Sequence, residues 1–144
     1  IVGDVDYGPD AVVPRLEFSG KEADEVETAL LGAGGERSPD RQTLLRGAAA
    51  TKSAVLSAAA NRDILHLATH GYFRTDAADD FGVYGFSARL DSGLVFAGDG
   101  SPAAELFLTA GEIGYADLRP TQLVVLSACE TGGGGGCHAH PGTF

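Results

Sequence analysis

Two periods of apolar residues run through this chain. Nearly continuous apolar runs occur at Ile1 to Val5, Asp63 to Ala68 and Leu123 to Leu126. Such runs predict strands buried in a sheet, and the last, the most continuous, has the form of a strand covered on both faces. Between the first two, Ala23, Val26, Ala29 and Leu30 recur at helical spacing. Ser19-Gly20-Lys21-Glu22 ahead of them has the form of a capping box, in which the Ser hydroxyl takes the Glu22 amide and Glu22 reaches back. Gly32 with Gly34-Gly35 ends that helix. Leu44 and Leu45 mark a short edge strand, and Thr51 is the predicted N-cap of a second helix through Val55, Leu56 and Ala59.

Further along, Asp6-Tyr7-Gly8-Pro9-Asp10 is turn-rich and predicts a loop at the carboxyl end of the first strand. Phe73 to Ala88 is a loop rich in Asp, Gly and aromatic residues, the kind that walls a site. Gly93 to Ala97 and Glu105 to Leu108 flank Gly98-Asp99-Gly100-Ser101-Pro102 and predict a hairpin or a pair of short strands. Thr109-Ala110-Gly111-Glu112 is a second capping box, opening a helix toward Asp117 that Pro120 closes. Strands separated by helices imply an α/β fold with a largely parallel sheet. The last dozen residues carry no period: five glycines from Gly132 to Gly136 precede Cys137 to Phe144, a flexible terminus.

Composition narrows the function. With 144 residues and 44% hydrophobic content the chain fits one soluble domain with a sizeable core. A formal charge of −10, with the ten Lys and Arg scattered, excludes a nucleic-acid surface. The acidic residues are dispersed as well, which describes a solvated face. Two cysteines argue against a disulfide scaffold and for a reducing, cytoplasmic setting. No apolar run approaches the roughly 18 residues of a membrane span, and no signal peptide is visible. The start at Ile1 and the absence of Met point to a piece of a longer chain.

The candidate chemistry sits at two strand ends. His70 follows the second run in Ile64-Leu65-His66-Leu67-Ala68-Thr69-His70-Gly71, and Cys129 follows the third in Leu123-Val124-Val125-Leu126-Ser127-Ala128-Cys129-Glu130-Thr131-Gly132. Ligands collect outside the carboxyl ends of parallel strands, so the two can converge there. A thiol is mostly protonated at neutral pH, and a neighbouring imidazole can take its proton and return it to a leaving amine. The amides of Gly71 and Cys129 are candidate donors to an oxyanion, since Gly71 permits close backbone approach. Taken singly, a Cys after a strand is an inert small hydrophobe and a His near a strand end is structural. As a pair they meet the local conditions of a caspase-type arrangement, in which the His lies about 50 residues upstream of the Cys; here the separation is 59.

Other features resolve to structure. His66 is read as a hydrogen-bonded structural histidine, with a supporting role near the dyad as the minor reading. Cys137, His138 and His140 fit no closed zinc pattern, and Gly132 to Gly136 lack the Lys-Ser or Lys-Thr of a phosphate loop. No metal or cofactor site is expected. Gly-x-Ser-x-Gly is absent, which removes the usual serine-hydrolase elbow.

These residues resemble the CHAT domains of the caspase-like cysteine peptidases. The likeness rests on Leu65 to Phe73 and Leu123 to Gly132, supported by Ser92-Gly93-Leu94-Val95-Phe96, Leu108 to Ile113 and the Ala50-Thr51-Lys52 helix start. It implies a caspase-like three-layer α/β sandwich with a mostly parallel central sheet, with His70 as general base and Cys129 as nucleophile in the hydrolysis of peptide bonds in a protein target. It implies no cofactor, and a place beside helical repeats in a larger bacterial protein that regulates the peptidase. Such domains continue past the cysteine motif, so 1–132 is expected to be a partial domain with its C-terminal part missing and 133–144 a Gly-rich irregular tail. Leu123 to Leu126 would then lie along an open sheet edge and favour self-association. On that view the parent protein is the enzyme. The alternative is a non-catalytic interaction module or an inactive fragment.

Overall fold

The protein is described by a computed structural model over residues 1–9, 13–32, 42–73, 92–98 and 106–128. Strand β1 (Val2–Val5) leads to helix α1 (Ser19–Leu31), followed by β2 (Leu45–Gly47), α2 (Lys52–Ala59) and β3 (Ile64–Ala68). Short strands β4 (Gly71–Phe73), β5 (Ser92–Val95) and β6 (Phe107–Thr109) come next, then α3 (Ala110–Tyr115) and β7 (Leu123–Ser127). The first, second, third and seventh strands form a parallel sheet in the order β2-β1-β3-β7, and β4-β5-β6 form a separate antiparallel sheet. This is an α/β architecture with a mostly parallel central sheet, as the alternation of apolar runs and amphipathic segments predicts.

Alternation along β1 and β3 divides the sheet into two faces. One carries Gly3 and His66 and receives α1. Gly3 is required there, because a Cβ would stand 2.5 Å from the Ser19 carbonyl oxygen and 2.7 Å from the Ala23 Cβ. The other face carries Val2 and Leu67, joined by Val5 beyond the irregularity in β1, and these pack with Val55 of α2, with Leu94 and Leu108 of the antiparallel sheet and with Phe96 just past β5. The result is three layers. An isolated parallel bridge between Thr51 and Ala97 joins the start of α2 to the end of the small sheet.

Local signals act as expected at two helices. Thr51 caps α2 by accepting the Ala54 amide at 3.2 Å, and Thr109 with Glu112 forms a complete capping box on α3. Lys52 Nζ donates to Glu112 Oε1 at 2.6 Å and ties those two helices together. Burial pushes the Glu112 carboxyl up, but the hydrogen bonds from Lys52 and Thr109 outweigh it and hold the group below its ordinary value. The capping box expected at Ser19 does not form: Phe18 is the N-cap, without a side-chain bond, and Ser19 is the first helical residue. The cause lies in β1, which is irregular where Asp4 adopts a positive φ of 52°. The Asp4 amide is left without a ladder partner and donates to Ser19 Oγ at 3.0 Å, while that hydroxyl donates to the Leu16 carbonyl at 2.8 Å.

Strand β7 overturns one expectation and meets another. Its apolar run is not covered on both faces: Leu123, Val124, Val125 and Leu126 are 50%, 45%, 37% and 46% exposed. Among the described residues the strand is the last in the sheet order, with β3 as its one neighbour, which is the open edge expected of it. Strand β4 had no signal of its own, being three residues long and beginning on a glycine. The loop from residue 74 to Ala88, the turn from Asp99 to Pro102, Cys129 and the glycine-rich tail lie outside the described residues.

Candidate active site at the carboxyl edge of the sheet

His70 stands two residues past β3, and its support comes from three separate segments. The imidazole Nε2 is 2.7 Å from the carbonyl oxygen of Pro14, which can only accept, so Nε2 carries the hydrogen. In a neutral ring of that tautomer Nδ1 is the acceptor nitrogen. The Tyr7 ring lies against the imidazole with centroids 5.3 Å apart and planes inclined by 52°. The main chain of His70 is held as well: its N–H donates to Tyr7 Oη at 3.3 Å, and its carbonyl accepts the Val95 N–H at 2.9 Å.

Tyr7 and Thr69 form a relay beneath this ring. Thr69 is fully buried, and its hydroxyl donates to the Val95 carbonyl. That hydrogen being committed, the 2.9 Å contact between Tyr7 Oη and Thr69 Oγ1 requires Tyr7 as donor. Burial pushes the Tyr7 phenol above its ordinary value, against the smaller opposing effect of its hydrogen bonds, so the neutral hydroxyl persists. Pro14 is positioned by its neighbour: Arg15 donates from Nε to Asp4 Oδ1 at 2.8 Å and pairs with the same oxygen through Nη2. None of these partners was visible as a motif. The faint signal was Tyr7, an aromatic in the loop expected past the first strand.

Gly71 begins β4 opposite Leu94. The bond from the Val95 amide to the His70 carbonyl makes Gly71 and Leu94 a non-hydrogen-bonded pair, so the Gly71 N–H points away from β5. It is therefore free of that ladder. Cys129 and its amide lie outside the described residues, but the strand that leads to it is defined. β3 and β7 run parallel with Ala68 paired to Ser127, and His70 and Cys129 each follow their member of that pair by two residues.

The family model of the CHAT domain matches residues 3–140. The chain belongs to the CHAT domain family. This places it among caspase-like peptidases by family, and the match spans both β3 and β7 of this CHAT domain. No curated protein and no solved structure matches the chain.

Two cavities differ in their relation to this edge. One of about 260 Å³ is lined by Asp4, Asp6, Tyr7, Gly8 and Arg15, next to the His70 support. The larger, about 320 Å³, lies near the amino end of β3 against Leu30, Gln42 and Arg62, away from His70. His66 is a hydrogen-bonded residue, as expected: it is 6% exposed, with Nε2 3.0 Å from Glu22 Oε1. Among the described residues no group of three or more His, Cys, Asp or Glu could hold a metal ion, and no helix is long and apolar enough to cross a membrane.

Proposed function

We propose that this CHAT domain carries the Cys-His dyad of a cysteine endopeptidase acting on a protein target within a larger, cytoplasmic bacterial protein. The observation that carries the reading is the in-register pairing of β3 with β7, since in the sequence His70 and Cys129 follow the paired Ala68 and Ser127 by two residues each. Adjacent strands lie about 4.8 Å apart, a span that two side chains bridge. In the first step the Cys129 thiol gives its proton to His70 Nδ1, and the thiolate attacks the scissile carbonyl carbon. The amides of Gly71 and Cys129 receive the oxyanion. The C–N bond then breaks, His70 returns the proton to the leaving amine, and water hydrolyses the thioester by the same proton route. The cleft beside Tyr7 offers space for a substrate side chain at this edge.

Treatment with a peptidyl electrophile, read by intact mass, tests the reading. Cys129 is expected to be labelled at a rate that falls sharply in His70→Ala, and cleavage of the target by the parent protein is expected to vanish in Cys129→Ala. Labelling indifferent to His70→Ala would sink it. The exposed apolar edge of β7 favours a second reading, an interaction module that pairs through that strand with another copy or with the helical-repeat part of its parent chain. Full cleavage by Cys129→Ala would decide for it.

A further inference from the structure

Parallel pairing of β7 with β3 decides whether His70 and Cys129 meet, yet the apolar side chains of β7 do not specify that pairing. Register is normally fixed by which residues are buried, because a slip of one residue turns every side chain to the opposite face. Here Leu123, Val124, Val125 and Leu126 are exposed whichever face they lie on, and all four are aliphatic. A slip changes little burial. It does displace the strand by about 3.3 Å per residue, more than a proton transfer between two side chains tolerates.

Polar groups mark the two ends of β7. At its start the Gln122 and Leu123 amides both donate to the Asp63 carbonyl, at 2.8 and 3.2 Å. At its end the Ser127 hydroxyl donates to Glu22 Oε2 at 2.9 Å, across 105 positions of sequence. The other oxygen of the same carboxylate accepts from His66 Nε2 at 3.0 Å. His66 is buried on β3, so Glu22 is anchored to the strand whose neighbour must be aligned. The carboxylate thus joins α1, β3 and β7 at one point, and Ser127 reaches it in this register because Ser127 and His66 share a face.

We propose that Glu22 is a positioning residue that sets the β3–β7 register through Ser127 and thereby the approach of Cys129 to His70. The inference rests on the dyad proposed above. Its test uses the 144-residue chain with Cys137→Ser, which leaves Cys129 as the single thiol. The readout is the rate of alkylation by iodoacetamide at neutral pH per folded molecule, with and without His70→Ala. The dyad predicts a His70-dependent acceleration of about tenfold, from a thiolate stabilised beside an imidazole. Ser127→Ala and Glu22→Ala are each expected to abolish it, the double variant to lose no more than either single one, and Ser127→Thr to restore it. A residue with only a structural role would lower stability and leave this acceleration in place. Should Glu22→Ala fail to fold, Ser127→Ala removes the same hydrogen bond at less cost. Acceleration retained in Ser127→Ala overturns the role of Glu22, whereas its absence in the Cys137→Ser chain overturns the dyad itself.

Discussion

Replacing Tyr7 by Phe removes one oxygen and keeps the ring against His70. The lost groups are the donor to Thr69 Oγ1, at 2.9 Å, and the acceptor for the His70 amide, at 3.3 Å. Thr69 still donates to the Val95 carbonyl, so its hydroxyl hydrogen stays satisfied. The His70 N–H is left without its partner in a half-buried position, and the expected loss is about 1.5 kcal/mol, or about 5 °C in Tm. A second signature comes from pH. The native phenol is held above its ordinary value of 10.0, mainly by burial, whereas the unfolded chain ionises near that value. The native state is therefore stabilised in full below about pH 10, and this contribution fades as pH rises through the native value. Urea unfolding followed by circular dichroism between about pH 7 and about pH 11 reads both effects, the wild-type curve falling toward that of Tyr7→Phe on the alkaline side. A variant within about 0.3 kcal/mol of wild type, or two parallel pH curves, would refute the reasoning.

Three further outcomes follow from the same geometry. Gly3→Ala drives a methyl group into the Ser19 carbonyl and the Ala23 Cβ, and should lower stability by about 1–3 kcal/mol in urea unfolding; an unchanged midpoint would mean that α1 does not pack as described. Glu112 is held below its ordinary carboxyl range, so its pairing with Lys52 stabilises the protein above that range and is lost as pH falls through the depressed native value. Because the Glu112 side chain is 43% exposed and screened by solvent, Glu112→Gln should cost about 1 kcal/mol or less near neutral pH and nothing in acid, a difference that equilibrium unfolding at both pH values measures. Val124→Lys places a charge on the open edge of β7 and should lower the sedimentation coefficient if the 144-residue chain associates there; association unaffected by the change would locate the contact elsewhere.

What the sequence determined by itself is local. Apolar spacing placed β1, β3 and β7, the Thr51 and Thr109 caps opened two helices, and Gly32 closed another, because each depends on neighbours within a turn or a strand. The motifs around His70 and Cys129 also identified the family. Position within the sheet is not encoded in the run itself: an aliphatic run such as Leu123 to Leu126 is the same in a central strand and in an edge strand. Its pattern suggested a covered strand, the resemblance suggested an open edge, and the sheet order of the described residues puts it at the edge. Ser19 and Glu22 have the letters of a capping box, yet the bend at Asp4 claims the hydroxyl, and His66 with Ser127 claims the carboxylate. The support of His70 joins it to Pro14 across 56 positions and to Tyr7 across 63, contacts that no local pattern encodes. Sequence thus supplied the reactive groups, and folding supplied the carbonyl, the phenol and the carboxylate, because a hydrogen-bond partner is chosen by proximity in space.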